Sequence, residues 1–238
     1  MFPYDSALLA AVNTVPQSVP DVIGIMQTID ATCVTGDGLK WFNELYLQVT
    51  QAVEGQVAGN GFSDVPWMAQ LDVEFAKLYF GALRSSLLEL PTPECWQVLF
   101  GLRNQTALAR IQFAMSGINA HINHDLAEAV VNTCLVTGTA PVRDVHYADY
   151  TSVNSTLEAL IDTAKQEFHV TLLGDALPPV SRLEDTIAAW SVSAAREAAW
   201  VNAEHLWAVR SIPALETGFT AMLDGFTTVI GKTLMIPV

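Results

Sequence analysis

The chain is 238 residues long, 51% of them hydrophobic and only 15% charged, with a formal net charge of −14 at pH 7. That much apolar side chain builds one continuous core and excludes a disordered or fibrous protein. The acid excess repels phosphate backbones and anionic headgroups, so nucleic acid is not expected as a partner, and it keeps an apolar protein in solution.

Apolar residues recur at helical spacing through nearly every segment, whereas alternating strand patterns are almost absent. The expected fold is all-α: a single-domain, mainly antiparallel multi-helix bundle. Residues 1–19 read as an N-terminal extension. Their opening, Met-Phe-Pro-Tyr-Asp, places an acid and no Lys or Arg ahead of a short Ala/Leu stretch, the wrong order for a secretory signal, so a cytoplasmic chain is expected.

Helices are then expected over residues 20–32, 39–57, 66–88, 92–101, 106–137, 145–172, 183–210 and 213–234. Turn-forming clusters separate them: Gly36-Asp37-Gly38, Gly59-Asn60-Gly61, Pro91-Thr92-Pro93, Gly138-Thr139-Ala140-Pro141 and Pro178-Pro179. The longest uncharged runs, 6–20 and 129–142, are too short or too broken to span a bilayer. Cys33, Cys95 and Cys134 are odd in number and widely spaced, without a CxxC pair. They read as reduced core thiols, and a zinc site built on thiolates is not expected.

The chemistry concentrates in residues 117–126, Gly-Ile-Asn-Ala-His-Ile-Asn-His-Asp-Leu. On a helix, steps of three and four return to the same side, so Gly117, His121, His124, Asp125 and Glu128 form one stripe. Gly117 leaves room beside His121 for a ligand or a close helix crossing. Two imidazoles and a carboxylate one turn apart suit a divalent ion, zinc or iron, with further donors from other helices. His121 and Asp125, completed by Asp72 or Glu197, are the expected ligands. Glu204 and Glu44 are further candidates.

Familiar metal signatures fit only in part. HExxH is absent, and no Glu is followed three residues later by His. His124-Asp125 imitates the doublet of HD phosphohydrolases without an upstream His, and His121 with Asp125 gives an HxxxD pair like that of helical zinc phosphoesterases. A His beside a carboxylate is also a competent acid or base without metal, and a buried polar network can exist only to be satisfied.

Elsewhere, Arg196 with Glu197 and Glu204, among Trp190, Trp200 and Trp207, reads as a pocket wall or an interhelical ion pair. Asn119, Gly117, Trp200 and Glu204 are the expected substrate-pocket residues. Tyr46, Phe75 and Tyr79 read as core, and His146, His169 and His205 have no partner at useful spacing. No GxGxxG, Walker or G-x-S-x-G pattern occurs.

These blocks resemble a family of bacterial proteins defined only as domain of unknown function 5995. The resemblance is carried by the decapeptide 117–126, by Trp-Phe-Asn-Glu-Leu-Tyr-Leu-Gln-Val-Thr at 41–50, by Leu-Asp-Val-Glu-Phe at 71–75 and by Ala-Arg-Glu-Ala-Ala-Trp-Val-Asn-Ala-Glu at 195–204. It covers most of the chain, from about Val22 to Pro237, and implies no assigned activity. It does single out His121, His124, Asp125, Asp72, Arg196 and Glu197.

The resulting expectation is an enzyme acting on a small, largely apolar molecule through a buried His/Asp site, by metal-assisted hydrolysis with His124 as acid or base near a bound water. One alternative is a metal-free lyase, isomerase or cyclase using His124 as general acid–base. The other is a non-catalytic helical ligand-binding or interaction protein. Each takes a small molecule or a protein partner rather than nucleic acid, without a membrane span, and the oligomeric state is left open.

Overall fold

The computed structural model describes residues 2–174 and 190–237, with the side chains of residues 165 and 167–174 outside the description. All regular structure among the described residues is helical. The helices are α1 (Asp5–Val12), α2 (Val19–Thr32), α3 (Gly38–Ala58), α4 (Val65–Leu87), α5 (Glu94–Leu102), α6 (Arg110–Ala120), α7 (Leu126–Thr137), α8 (Val145–Ser152), α9 (Asn154–Gly174), α10 (Val192–Val209) and α11 (Pro213–Leu234). No helix of the described residues is long and apolar enough to cross a membrane.

Between α6 and α7 the backbone makes one π-helical turn, His121–Asp125, without leaving the helix axis. Residues 110–137 are therefore one continuous rod. It is the centre of the fold: α3 and α11 pack on its first half, α4 and α10 on its second. Every residue from Ile111 to Ala120 is buried, as a helix surrounded by others requires.

Local chemistry sets the ends. Ser18, Asp37, Asp64, Asp144 and Ser191 each accept a backbone N–H of the first turn that follows, satisfying donors that the helix itself leaves open. Gly138, with φ of +70°, closes α7 in the left-handed conformation that glycine adopts without strain. Gln112 holds two distant segments together. Its Oε1 accepts from Ala109 N at 2.8 Å, and its Nε2 donates to the carbonyls of Leu234 and Ile236, both at 2.8 Å.

Two elements differ from the sequence expectation. Residues 5–12 are a helix integrated into the core rather than part of an extension: Leu8 and Val12 are buried against α2 and α4. Arg103 Nη2 donates to Asp5 Oδ1 at 2.9 Å, while its Nε bonds both oxygens of the fully buried Asp37. The expected helix 145–172 breaks at Val153. There the hydroxyls of Thr151 and Ser152 bond back to the carbonyls of Tyr147, Ala148 and Asp149, competing with continuation of the helix. The first part of the expected helix 183–210 lies outside the described residues, and α10 begins at Val192.

Candidate functional site

The π-helical turn decides where the site's side chains point. Leu126 donates its N–H to the carbonyl of His121, five residues back, so the turn holds one residue more than an α-helical turn. The result splays two imidazoles that a regular helix would keep on one stripe. His121 faces a cavity between α3 and α4, and His124 faces α5 and α11.

Asp125 sits between them and is bonded by both. His121 Nδ1 lies 2.9 Å from its Oδ2, His124 Nδ1 lies 2.7 Å from its Oδ1, and Trp96 Nε1 donates to Oδ2 at 3.0 Å. Burial alone would raise this carboxyl, but the hydrogen bonds from the two imidazoles hold it below its ordinary value. An ionised Asp125 accepts only, so each Nδ1 carries the proton it donates, which leaves each neutral ring with a lone pair on Nε2.

The two rings then diverge. Burial lowers His121, outweighing the support of Asp125, and favours the neutral ring. For His124, burial is outweighed by the bond to Asp125 and by the charges of Asp125, Asp224 and Glu128, and its pKa is raised.

His121 is enclosed by aromatic rings. Phe75 stacks on it in parallel, with centroids 3.5 Å apart, and Tyr46 meets it edge-on at 4.5 Å. Phe42 and Trp96 complete the enclosure, each at 5.8 Å. The ring borders a partly open, apolar cavity of about 80 Å³. Three polar atoms of its wall, His121 Nε2, Asp72 Oδ2 and the Tyr46 hydroxyl, are buried without a hydrogen-bond partner among the described residues. Most buried polar groups in proteins are paired, so three together in one apolar cavity mark a place built to receive something.

Desolvation dominates the electrostatics of this cavity. The Asp72 carboxyl is pushed up to about 7 by burial, with the charge of Glu54 adding to the effect. Tyr46 is raised well above its ordinary value by burial and then by Asp72. Arg196 also reaches the wall. Its Nε donates to Asn154 Oδ1 at 2.7 Å and its Nη2 to the Tyr150 carbonyl at 2.6 Å, with the guanidinium 4.0 Å over the Tyr150 ring. It is thus held by neutral groups, and burial lowers its pKa.

Residues 19–237 match the model of a family described as "Family of unknown function (DUF5995)". The chain belongs to that family. No curated protein and no solved structure matches it.

In this DUF5995 member, the expected site residues divide into three groups. His121, Asp72 and Arg196 meet at the cavity. Asp125 and His124 stand behind it, Asp125 orienting His121 from the side away from the opening. The remainder lies elsewhere. Glu197 is on the surface side of α10, bonded by Arg143 at 2.5 Å and by the Tyr147 hydroxyl at 2.6 Å. The four expected metal donors His121, Asp125, Asp72 and Glu197 are therefore not brought together, and Asp125 already serves three donors. Nor does Arg196 pair with Glu197 or Glu204. Arg143 takes that role, and it stands 3.6 Å from Glu204.

None of the expected substrate-pocket residues, Gly117, Asn119, Trp200 and Glu204, lines the His121 cavity of this DUF5995 chain. A Cβ on Gly117 would lie 2.3 Å from Phe42 Cγ, so the glycine admits a close helix crossing and not a ligand. Asn119 ties the π-helical turn to α11, donating to the Thr227 carbonyl at 2.9 Å and accepting from Asn123 at 2.9 Å. Trp200 is fully buried and donates to Glu204 at 3.1 Å.

Three contributors escaped the sequence reading. Tyr46 and Phe75 read there as core, which they are, yet they also shape the cavity. Trp96 was not singled out. The available signal was Tyr46 and Asp72 inside the two blocks that carry the family resemblance. His146, expected without a partner, stacks on Trp67 at 4.8 Å and lies 3.1 Å from Asp64 Oδ2. The side chain of His169 lies outside the described residues.

Proposed function

We propose that this protein is an enzyme that moves a proton on a small, largely apolar molecule held in the His121 cavity, an isomerase or lyase working by general acid–base catalysis. The observation that carries the reading is the buried, unpartnered Nε2 of His121 in an apolar cavity, with its Nδ1 fixed by Asp125. A neutral imidazole with its lone pair presented to the cavity is a base. Asp72, whose pKa of about 7 keeps much of the carboxyl protonated at neutral pH, is the complementary acid. Two titratable groups pushed by burial toward their neutral forms, one accepting and one donating, are the division of labour that acid–base catalysis needs.

In this mechanism His121 Nε2 takes a proton from the bound molecule, and Asp125 stabilises the imidazolium through Nδ1–H. Asp72 returns a proton at a second position or to a leaving group. The Tyr46 hydroxyl and the Arg196 guanidinium hold the substrate oxygen on which negative charge develops. Phe42, Phe75 and the aliphatic wall keep water out and select an apolar body.

The test is incorporation of solvent deuterium, followed by NMR, into a panel of small enolisable ketones, hydroxyketones and unsaturated acids. Wild type is expected to label at least one class, and His121→Gln to slow labelling by at least ~10²-fold, the usual contribution of a positioned acid or base. No labelling of any panel member, or equal labelling by His121→Gln, would overturn the proposal.

A further inference from the structure

On the other side of Asp125, the geometry points to a binding site for a divalent transition-metal ion, zinc by preference, formed by Cys95, His124 and Asp224. The site is separate from the His121 cavity and from the donors expected from sequence.

The three ligand atoms lie within 4.8 Å of one another and come from α5, the π-helical turn and α11. Bonds of roughly 2.0–2.3 Å around zinc place ligand atoms within about 4 Å of each other, so shifts of the order of an ångström close the site. Cys95 is fully buried and His124 is 6% exposed. The His124 ring is aimed by Asp125, whose Oδ1 lies 2.7 Å from Nδ1, which makes Nε2 the ring atom that would ligate. A carboxylate behind a histidine is the usual way proteins fix the tautomer and aim of a metal-bound imidazole.

Asp224 is fixed as firmly. Its two oxygens accept the backbone N–H groups of Glu94 and Cys95, at 2.9 and 2.8 Å, which anchors the carboxylate beside the thiol and leaves further lone pairs.

Charge supplies an independent argument. Asp224, Glu128 and Glu216 converge with His124 on one open cleft of about 630 Å³ between α7 and α11, with Asp125 just behind. Glu128 is raised by burial and by the charges of Asp125 and Glu216. Of the nearby cations, Arg210 lines the same cleft, with its guanidinium over the Trp207 ring and bonded to the Trp207 carbonyl, and Lys77 pairs with Glu74, so the carboxylates outnumber the cations around His124. A dication relieves this excess.

The donor set names the metal class. One sulfur, one nitrogen and one oxygen suit zinc or its analogues, whereas magnesium and calcium take oxygen alone. On binding, the Cys95 thiol releases its proton to solvent and the thiolate enters the metal's coordination. Three protein ligands leave a fourth position toward the cleft for water.

The test is titration of chelator-treated full-length protein with cobalt(II), then with zinc(II), read by absorption. One equivalent is expected to bind with visible bands of tetrahedral cobalt and a near-ultraviolet thiolate-to-cobalt band, all abolished by zinc. Cys95→Ser should lose the thiolate band, and Asp224→Asn should weaken cobalt at least ~10-fold. Cys134→Ser and His121→Gln should keep the full spectrum, so this site and the cavity chemistry fail separately. Circular dichroism of each variant confirms the fold. No thiolate band in wild type, or a band that survives Cys95→Ser, overturns the proposal.

Discussion

Asp72 offers the most direct measurement of what the cavity does to its wall. In the unfolded chain its carboxyl ionises near 3.8, and in the folded protein near 7. Between those values the unfolded state gives up a proton that the folded state keeps, so stability falls as pH rises through the window and levels off above it. At roughly 1.4 kcal/mol for each pH unit, the full loss attributable to this one group is about 4 kcal/mol, an upper figure because water entering the cavity would soften it.

Asp72→Asn keeps the shape and removes the ionisation. Its advantage over wild type is therefore expected to be near zero at pH 4, to grow through pH 5 and 6, and to reach up to about 4 kcal/mol at pH 8. In a chain of this length that is a rise of roughly 10 °C in Tm at pH 8. The assay is urea unfolding of both proteins at half-unit pH intervals, comparing midpoints. Because the Glu54 charge adds to burial, Glu54→Gln in the wild-type background should narrow the window from its upper end. A difference between Asp72→Asn and wild type that stays flat from pH 4 to 8 would refute the reasoning, since it would mean that Asp72 titrates normally.

Three further outcomes follow from packing and hydrogen bonding. Gly117→Ala drives a methyl into the Phe42 ring and is expected to cost about 1–3 kcal/mol in urea unfolding. Adding Phe42→Leu should recover part of that loss, and an unchanged midpoint for the single variant would sink the close-crossing argument. Arg103→Met strands the fully buried Asp37 and should cost about 3–5 kcal/mol, with a loss below 1 kcal/mol counting against a working ion pair. Trp96→Phe deletes one of three donors to Asp125. The Asp125 carboxyl should then titrate at higher pH in carboxyl-carbon NMR, and an unmoved titration would show that Trp96 is packing alone.

Most of the fold was legible because burial imposes period 3.6 on any helix with one wet face, and the long helices announce themselves that way. What failed was short or interrupted. Helix α1 buries only Leu8 and Val12, and two residues do not make a period. Its stability comes from long-range partners such as Arg103, 98 residues from Asp5, which local sequence does not display. The break at Val153 was hidden for the opposite reason: apolar spacing continues across it, and only hydroxyl groups bonding backward mark the interruption.

The candidate site was legible in its residues and not in its geometry, and the cause is the π-helical turn. A stripe drawn with steps of three and four assumes 3.6 residues in every turn, and it put Gly117, His121, His124, Asp125 and Glu128 side by side on one face. With one extra residue between His121 and Leu126 that assumption fails at the very segment that matters. His121 turns toward α3 and α4, His124 toward α5 and α11, and Asp125 holds both by Nδ1. The other two donors read into one metal set lie on other helices, Asp72 at the cavity and Glu197 on the surface side of α10 with Arg143 and Tyr147. A run of polar residues in the buried middle of the rod is itself the trace of this irregularity. Two buried imidazoles and one carboxylate are satisfied together only if the helix widens to let them converge, and the residues that seemed most out of place in the core are the ones that reshape it.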